Sequence, residues 1–238
     1  MFCRRGPGRM AVVESSRHAI LFPARMNFDR LAPHYHWLEI IFAGGLMQRC
    51  RTTYLTRTKF CRRALLVGEG TGRFLVELLR WHPQIRITCI EPCEGMIKQM
   101  RQRIIREGLD DSQINFQQVD VLKWTPPKEK FDLIVTNFFL DCFRAGQLQE
   151  LVPLLAGSTT AEAIWLLADF RVPECGWRRW RATVILAGLY WFFRIMTSLP
   201  AIWITRPDGF LSRSGFKLTE RKLLNFGLIH ADLWVRCV

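Results

Sequence analysis

Three glycines spaced two residues apart follow a short apolar run, and this is the segment of the sequence best suited to chemistry. The residues are, in order, Leu65, Leu66, Val67, Gly68, Glu69, Gly70, Thr71 and Gly72. Glycine is needed where the backbone takes positive φ and where a ligand must touch bare main chain. A dinucleotide-binding turn would read GxGxxG, but here the third glycine comes one residue early and Arg73 stands in its place. The segment therefore predicts a cofactor-binding turn of another kind.

An acidic residue stands at the end of each of the next two predicted strands. Glu91 closes the second strand, 19 residues after Gly72, where a carboxylate can bind both hydroxyls of a ribose. Asp120 closes the third strand, immediately before Val121. An ordinary surface glutamate is the alternative for Glu91. We predict that Glu91 binds ribose.

Taken together, these segments resemble class I S-adenosylmethionine (SAM)-dependent methyltransferases. The glycine turn resembles the family's first motif, which lies along the methionine part of SAM. The stretch from Glu91 to Met96 resembles one in which the methionine packs on adenine, and Asp120 matches an acid that accepts the adenine amino group. Residues 131–139 resemble the fourth motif, which opens into the active site. The resemblance covers about residues 28–170 and implies SAM as cofactor, bound by Gly68, Glu69, Gly70, Thr71, Gly72, Glu91, Pro92, Met96, Asp120, Val121, Asn137 and Phe138.

A finer resemblance lies at the start of the patterned sequence. Residues 27–35, followed by Gly45 and Arg49, look like the first helix of the ubiquinone/menaquinone-biosynthesis methyltransferase group. In that group a tyrosine lies over the cofactor, which implies this position for Tyr35. Position 36 carries His where the group usually has Asp. The resemblance implies a lipophilic or small aromatic acceptor.

Methyl transfer from a sulfonium is an in-line displacement, so the protein mainly positions the acceptor and excludes water. If the acceptor is a hydroxyl or an activated ring carbon, a base helps to remove its proton. The candidates for this catalytic role are Tyr35, His36 and Asp141, the last of which lies just beyond the fourth predicted strand. A cap on the following helix is the alternative for Asp141.

Strand and helix alternate five times in the elements that must position these residues. Short apolar runs predict strands at 64–67, 86–90, 114–119, 131–136 and 163–168, and three- and four-residue apolar spacing predicts helices at 28–47, 73–81, 95–107, 145–155 and 178–197. A short helix at 208–214 and a terminal hairpin of 217–224 and 228–235 complete the chain. We therefore predict an α/β, Rossmann-like, seven-stranded and mostly parallel sheet with helices on both faces.

The composition predicts one globular domain. Of the 238 residues, 49% are hydrophobic and 23% are charged, which excludes wholesale disorder. Residues 1–26 are basic and unpatterned, so we predict a disordered extension there and a methyltransferase domain over 27–238, with an apolar helical insertion at about 177–204. The eight cysteines form no CxxC pair, which predicts no metal site, no disulfide framework and a cytoplasmic protein.

The net charge of +13 leaves other functions open, because a basic surface can attract nucleic acid, anionic lipid or an acidic small molecule. An RNA methyltransferase is one alternative. It is disfavoured because base amino-group methylation usually needs a (D/N)PP(Y/F) run, where this chain has Asn137, Phe138, Phe139 and Leu140. The other alternative is a SAM-binding protein without catalytic activity.

The apolar segment at residues 182–204 bears on the substrate. It is long enough for a membrane span, but Arg194 lies near its middle and Pro200 interrupts its end. We predict that it roofs the pocket of a small-molecule or lipid-like acceptor. Its outer face is also suited to peripheral contact with an anionic membrane, given nearby arginines and the tryptophans Trp177, Trp180, Trp191 and Trp203.

Overall fold

The computed structural model describes residues 44–128, 130–197 and 204–237. The predicted extension at 1–26 lies outside these residues, as do Tyr35, His36 and Trp203. Most of the helix predicted at 28–47 also lies outside them. Its described part belongs to the first helix, α1, at Gly44–Arg51.

Seven strands and five further helices follow α1 within the described residues. The strands are β1 Arg63–Val67, β2 Arg86–Ile90, β3 Ile114–Gln117, β4 Phe131–Asn137, β5 Thr159–Phe170, β6 Phe216–Leu224 and β7 Ile229–Arg236. The helices are α2 Arg73–Trp81, α3 Glu94–Arg106, α4 Ala145–Ala156, α5 Gly176–Thr197 and α6 Asp208–Arg213. Single turns of 3-10 helix lie at Leu55–Thr58, Val121–Lys123, Leu140–Cys142 and Asn225–Gly227.

The seven strands form one sheet in the order β3-β2-β1-β4-β5-β7-β6. The first five strands are parallel, and β7 runs antiparallel to both β5 and β6. The predicted fold class, a mostly parallel seven-stranded sheet with a terminal hairpin, is confirmed. In open α/β sheets, ligands bind in the crevice outside the carboxyl ends of the parallel strands. The glycine turn and the residues that follow β2, β4 and β5 all lie at that edge.

Two predicted strands have wrong boundaries. β5 begins at Thr159, earlier than the predicted residue 163, because Thr159 pairs with Phe131 across an irregularity in the β4–β5 ladder. β3 ends at Gln117, earlier than the predicted residue 119. The Val119 N–H donates to the Gln117 carbonyl, which turns the chain away from the sheet. Helix α2 has the predicted bounds, α1 ends four residues beyond its predicted end, and the other helix and hairpin boundaries differ from the prediction by at most two residues.

Helices cover both faces of the sheet, as predicted. On one face, Leu148 and Leu151 of α4 and Leu211 of α6 are buried in a single apolar cluster. On the other face, Phe74 of α2 and Met100 of α3 are buried in a second one. Burying a side chain of this size contributes about 1.5–3 kcal/mol, so these two layers hold the strand ends in place.

Helix α5 lies across the end of the sheet. Its Ala182, Leu186 and Leu189 are buried against Ala168 of β5 and Ala231 of β7. The spacing of these three residues places them on one side of the helix. Within the described part of the chain, no helix has both the length and the apolar character needed to span a bilayer.

Candidate active site

The glycine turn between β1 and α2 is held in place from two sides. Gly68, Gly70 and Gly72 have φ of 66°, 67° and 79°, values that favour glycine. The Gly68 N–H donates to the carbonyl of Ile90 over 3.0 Å, which ties the turn to the end of β2. The buried Thr71 accepts at its carbonyl from Arg103 of α3, with 2.9 Å between Nε and the oxygen.

An added side chain would meet different surroundings at each of the three glycines. A Cβ on Gly68 would lie 2.1 Å from the ring of Phe139, and one on Gly72 would lie 2.9 Å from the side chain of Met100. A Cβ on Gly70 would meet nothing within 4 Å. Gly68 and Gly72 therefore allow close packing, whereas Gly70 presents bare backbone to open space. This is the arrangement that a ligand lying along the main chain requires.

The side chain of Glu69 connects the glycine turn to the start of α2. Its Oε1 accepts from the N–H groups of Phe74 and Leu75 over 2.8 and 3.0 Å, at the start of α2. A carboxylate at a helix N-terminus satisfies otherwise unpaired donors and interacts favourably with the helix dipole. This side chain therefore supports the turn, and the cofactor contact predicted for Glu69 remains a prediction for its main chain.

Glu91 faces the turn from the end of β2. It is only 5% exposed; Oε2 accepts from the Gly70 N–H over 3.3 Å, and Oε1 from the Cys93 N–H over 3.1 Å. A carboxylate has about four acceptor positions, which suits this side chain to binding ribose hydroxyls. In the same segment Met96 is buried and Pro92 is exposed.

Asp120 and Val121 lie where β3 gives way to a 3-10 turn. The Oδ1 of Asp120 accepts from the N–H of Leu122 over 3.1 Å and caps that turn. Asp120 itself is partly exposed, whereas Val121 is buried. Asp120 lies three residues beyond the end of β3, so the prediction that it closes this strand is wrong, and the cofactor contacts of Asp120 and Val121 stay predictions.

Asn137 ends β4 with an unsatisfied amide. The residue is 6% exposed, and both Oδ1 and Nδ2 are buried without a hydrogen-bond partner in the described structure. Leaving a buried polar group unpaired costs about 1–3 kcal/mol, and such exceptions are rare in folded proteins. Asn137 thus marks a point where a polar group of a ligand would be stabilised.

The rings of the two phenylalanines after Asn137 pack in different places. Phe138 has a φ of 53°, and its ring packs 5.1 Å from that of Phe170 while the guanidinium of Arg51 stacks on it. The ring of Phe139 turns to the glycine turn and contacts Gly68. The sequence singled out Phe138 and missed Phe139, because adjacent identical residues give no signal of which one faces the turn.

Asp141 is buried beside a second carboxyl group that the sequence did not single out. Asp141 is 6% exposed and Asp169, near the end of β5, is 1% exposed. The two side chains are within hydrogen-bonding contact. Burial raises the pKa of Asp141; burial and the neighbouring Asp141 charge raise that of Asp169 well above its ordinary range. The alternative prediction for Asp141, a cap on the following helix, is wrong, since the N-cap of α4 is Arg144.

A buried ionic network continues from this pair into the terminal hairpin. His230 is paired with Asp169 in the β5–β7 register, and its Nδ1 lies 2.9 Å from Oδ1 of Asp232. Asp232 accepts two hydrogen bonds from Arg221, of 2.7 and 2.6 Å, and Arg221 also binds Asp208. Within the described ranges, no group of three or more His, Cys, Asp or Glu residues is arranged to hold a metal ion.

Comparison with known sequences shows which proteins this chain is similar to. Residues 64–157 match the family described as "Methyltransferase domain". A demethylmenaquinone methyltransferase of Roseiflexus sp. (strain RS-1) is 36% identical over 118 residues, which are 48% of this chain and 46% of the relative. A malonyl-[acyl-carrier protein] O-methyltransferase of Paenibacillus sp. (strain JDR-2) is 36% identical over 77 residues, 32% of this chain and 27% of the relative. The chain thus spans less than half the length of these relatives.

Solved structures share the fold. The SAM-dependent methyltransferase SibL aligns with a TM-score of 0.63 and 18% identity, covering 86% of this chain and 57% of SibL. The N-methyltransferase NodS of Bradyrhizobium japonicum WM9, in complex with S-adenosyl-L-homocysteine (SAH), aligns with a TM-score of 0.59 and 17% identity over 83% of this chain and 90% of NodS. The chain thus has the fold of these methyltransferases, and its residues 64–157 are similar to the methyltransferase domain family.

Proposed function

We propose that the protein binds SAM along the glycine turn and transfers its methyl group to a small, apolar acceptor. The observation that carries the proposal is the pairing of Gly70 with Glu91. Gly70 offers bare backbone to open space, and the buried carboxylate of Glu91 accepts from its N–H. A cofactor with a ribose and an amino-acid tail fits a turn of this kind, with Asp120 beyond it for the base.

When bound, SAM supplies a methyl group on a positively charged sulfur. The residues of the chain then have three tasks: to hold the acceptor in line with that methyl group, to exclude water, and to receive a proton where the acceptor loses one. Asn137 is placed to orient a polar group of the acceptor, since both its polar atoms lack partners. Asp141, buried just beyond β4, is the described residue placed to receive the proton.

An apolar acceptor with one polar end fits the surroundings of this site best. Phe138 and Phe170 lie at the ends of β4 and β5, and α5 packs against them with the apolar side described above. The polar groups near these aromatic side chains are few and buried. The sequence relatives that act on demethylmenaquinone support a ring-bearing, lipophilic acceptor for this chain as well.

We also propose that α5 rests on an anionic membrane surface, from which such an acceptor can be drawn. Trp177, Trp180, Val184 and Trp191 are 58%, 71%, 53% and 69% exposed, and their spacing of three, four and seven residues puts them on one outward stripe. Exposed apolar stripes of this kind mark interaction surfaces. Tryptophan suits the headgroup zone, and the exposed Arg178 and Arg179 add attraction to anionic lipid.

Arg181 does not belong to that surface. It hydrogen-bonds the side chain of Asn225 over 2.8 Å and lies over the ring of Phe226. The charges that face outward at this end of α5 are therefore those of Arg178 and Arg179, and only these should be reversed in a test of membrane binding.

Methyl transfer is tested by incubating the full chain with methyl-labelled SAM and, in separate reactions, a lipid extract or an RNA extract, followed by mass spectrometry of the labelled products. A label on an apolar small molecule supports the proposal. A label on RNA would establish the nucleic-acid alternative. Tight SAH binding by calorimetry, with no label transferred to any extract, would establish a SAM-binding protein without catalytic activity.

Membrane contact is tested by flotation with vesicles of phosphatidylglycerol and phosphatidylcholine. We expect salt-sensitive binding that is lost when Trp180 and Trp191 are both replaced by alanine. Phe60→Ala is the matched control, since Phe60 is 86% exposed but lies far from α5, just before β1. Equal flotation of all three proteins would remove α5 as the membrane-facing element.

A further inference from the structure

Asp169 carries a buried carboxyl group to which no side chain of the described residues donates a hydrogen bond of normal geometry. It is 1% exposed, and the donor that faces it is the main-chain N–H of Asp141. The group in contact with it is the carboxyl of Asp141. Two ionised carboxylates can only accept hydrogen bonds, so no bond forms between them unless one carries a proton.

The surroundings of the pair do not neutralise two charges. The titratable and charged groups that face it are Cys142 from the same loop, Tyr190 from α5, Cys50 and Arg51 from α1, and His230 and Asp232 from β7. The Cys142 thiol donates to Asp141 with 3.6 Å between Sγ and Oδ1, and the Tyr190 hydroxyl donates to the Asp141 main-chain carbonyl over 3.0 Å.

Two arginines and a histidine lie near the pair. Arg51 stacks on Phe138, and Arg221 is shared between Asp232 and Asp208. His230 lies against Asp232. Two ionised carboxylates held together in a buried site repel each other, and a single proton placed between them removes this repulsion.

We propose that Asp141 and Asp169 share one proton in the folded protein, so that Asp169 fixes the protonation state of the base candidate Asp141. The part that concerns Asp141 as a base rests on the function proposed above. Asp169 acts through Asp141 and is therefore a positioning residue.

With one negative charge on the Asp141–Asp169 pair, the proposed reaction creates no net charge in the site. Before transfer, the acceptor hydroxyl is neutral, the sulfonium carries one positive charge and the pair carries one negative charge. As the new bond to the methyl carbon forms and the sulfur–carbon bond breaks, the acceptor O–H bond also breaks and its proton joins the pair. The products are then a neutral methylated acceptor, a neutral thioether and a neutral pair, which returns its extra proton to solvent. No net charge is created in a site that excludes water.

Infrared spectroscopy of the full chain tests the shared proton without any acceptor. At about pH 7 ordinary surface carboxyls are ionised, so a protonated-carboxyl band reports a strongly perturbed group. We expect such a band in the wild type and its loss in both Asp169→Asn and Asp141→Asn, because the new amide can donate to the remaining carboxylate. Asp111→Asn is the control, since Asp111 forms a partly exposed ion pair with Arg101 and should leave the band unchanged.

Two outcomes would overturn the proposal: no protonated band in the wild type, or a band that persists in both pair variants. Should Asp169→Asn fail to fold, the wild type and Asp141→Asn still decide between these outcomes. SAH calorimetry on the same proteins separates this question from the proposed function. Retained SAH binding without the wild-type band would reject the shared proton alone, whereas a band without SAH binding would reject the cofactor site alone.

Discussion

Replacing Glu91 by glutamine removes the charge of the proposed ribose ligand while keeping its shape. Hydrogen bonds to charged groups contribute about 1.5–3 kcal/mol, roughly twice the neutral value. Glu91 is 5% exposed, so solvent screens this contribution little. We therefore expect Glu91→Gln to weaken SAH binding about 10- to 100-fold, measured by isothermal titration calorimetry.

Two other glutamates provide matched controls. Glu94 lies three residues further on, where it forms an exposed ion pair with Lys98, so Glu94→Gln should leave both affinity and stability unchanged. Glu69 caps α2, so Glu69→Gln should lower the free energy of unfolding by about 1 kcal/mol while changing the SAH affinity less than Glu91→Gln does.

The relative losses of SAH affinity in these variants show whether Glu91 binds the ribose. If Glu91→Gln binds SAH as tightly as the wild type, Glu91 does not bind the ribose. If Glu69→Gln lowers the affinity as much as Glu91→Gln, the carboxylates act by holding the turn, and neither contact with SAH would be established. Thermal melts of each variant show whether a lost affinity reflects a lost fold.

Three further changes test other parts of the molecule. Gly70→Val should abolish SAH binding in calorimetry, because a β-branched residue is strained at a φ of 67° and its side chain would enter the open space beside the glycine turn. Unchanged binding would show that SAM binds elsewhere. Arg221→Met should lower the free energy of unfolding by about 2–3 kcal/mol in urea titrations, because it leaves the buried Asp232 without its cation. The raised pKa of Asp169 stabilises the fold below the ordinary carboxyl pKa of 3.8, and this contribution is lost as the pH rises through the folded-state value. The melting temperature should therefore fall as the pH rises above 3.8, and less so in Asp169→Asn; parallel curves would contradict this assignment.

The parallel part of the fold could be predicted from the sequence because its elements are bounded by strong local signals. β2 and α2 have the predicted bounds, since apolar runs there end at glycine, proline or an acidic residue. The start of β5 could not be predicted in this way. Its first four residues include the exposed Glu162, and they join the sheet only through the irregular pairing of Thr159 with Phe131. A tertiary contact of this kind leaves no periodic pattern.

The cofactor side of the site was more predictable than the acceptor side for a related reason. The glycine turn and Glu91 follow strands that are consecutive in the chain, so their spacing is visible in the sequence. Asp169, by contrast, closes its strand as many polar residues do. Its proposed role depends on Asp141, which follows a different strand, β4. The two residues lie 28 positions apart in the chain, and no local pattern connects them.

Helix α5 connects the proposed membrane surface to the proposed base. Trp191 faces outward on the stripe, while the preceding residue, Tyr190, donates its hydroxyl hydrogen to the main-chain carbonyl of Asp141. A movement of α5 on a bilayer would therefore act directly on the loop that carries Asp141. If α5 rests on a membrane and Asp141 acts as the base, Tyr190→Phe should slow methyl transfer to an acceptor that is presented in vesicles of anionic lipid. It should weaken SAH binding less, because the proposed cofactor site is formed by other elements. Equal losses in both measurements would show that Tyr190 only stabilises the fold.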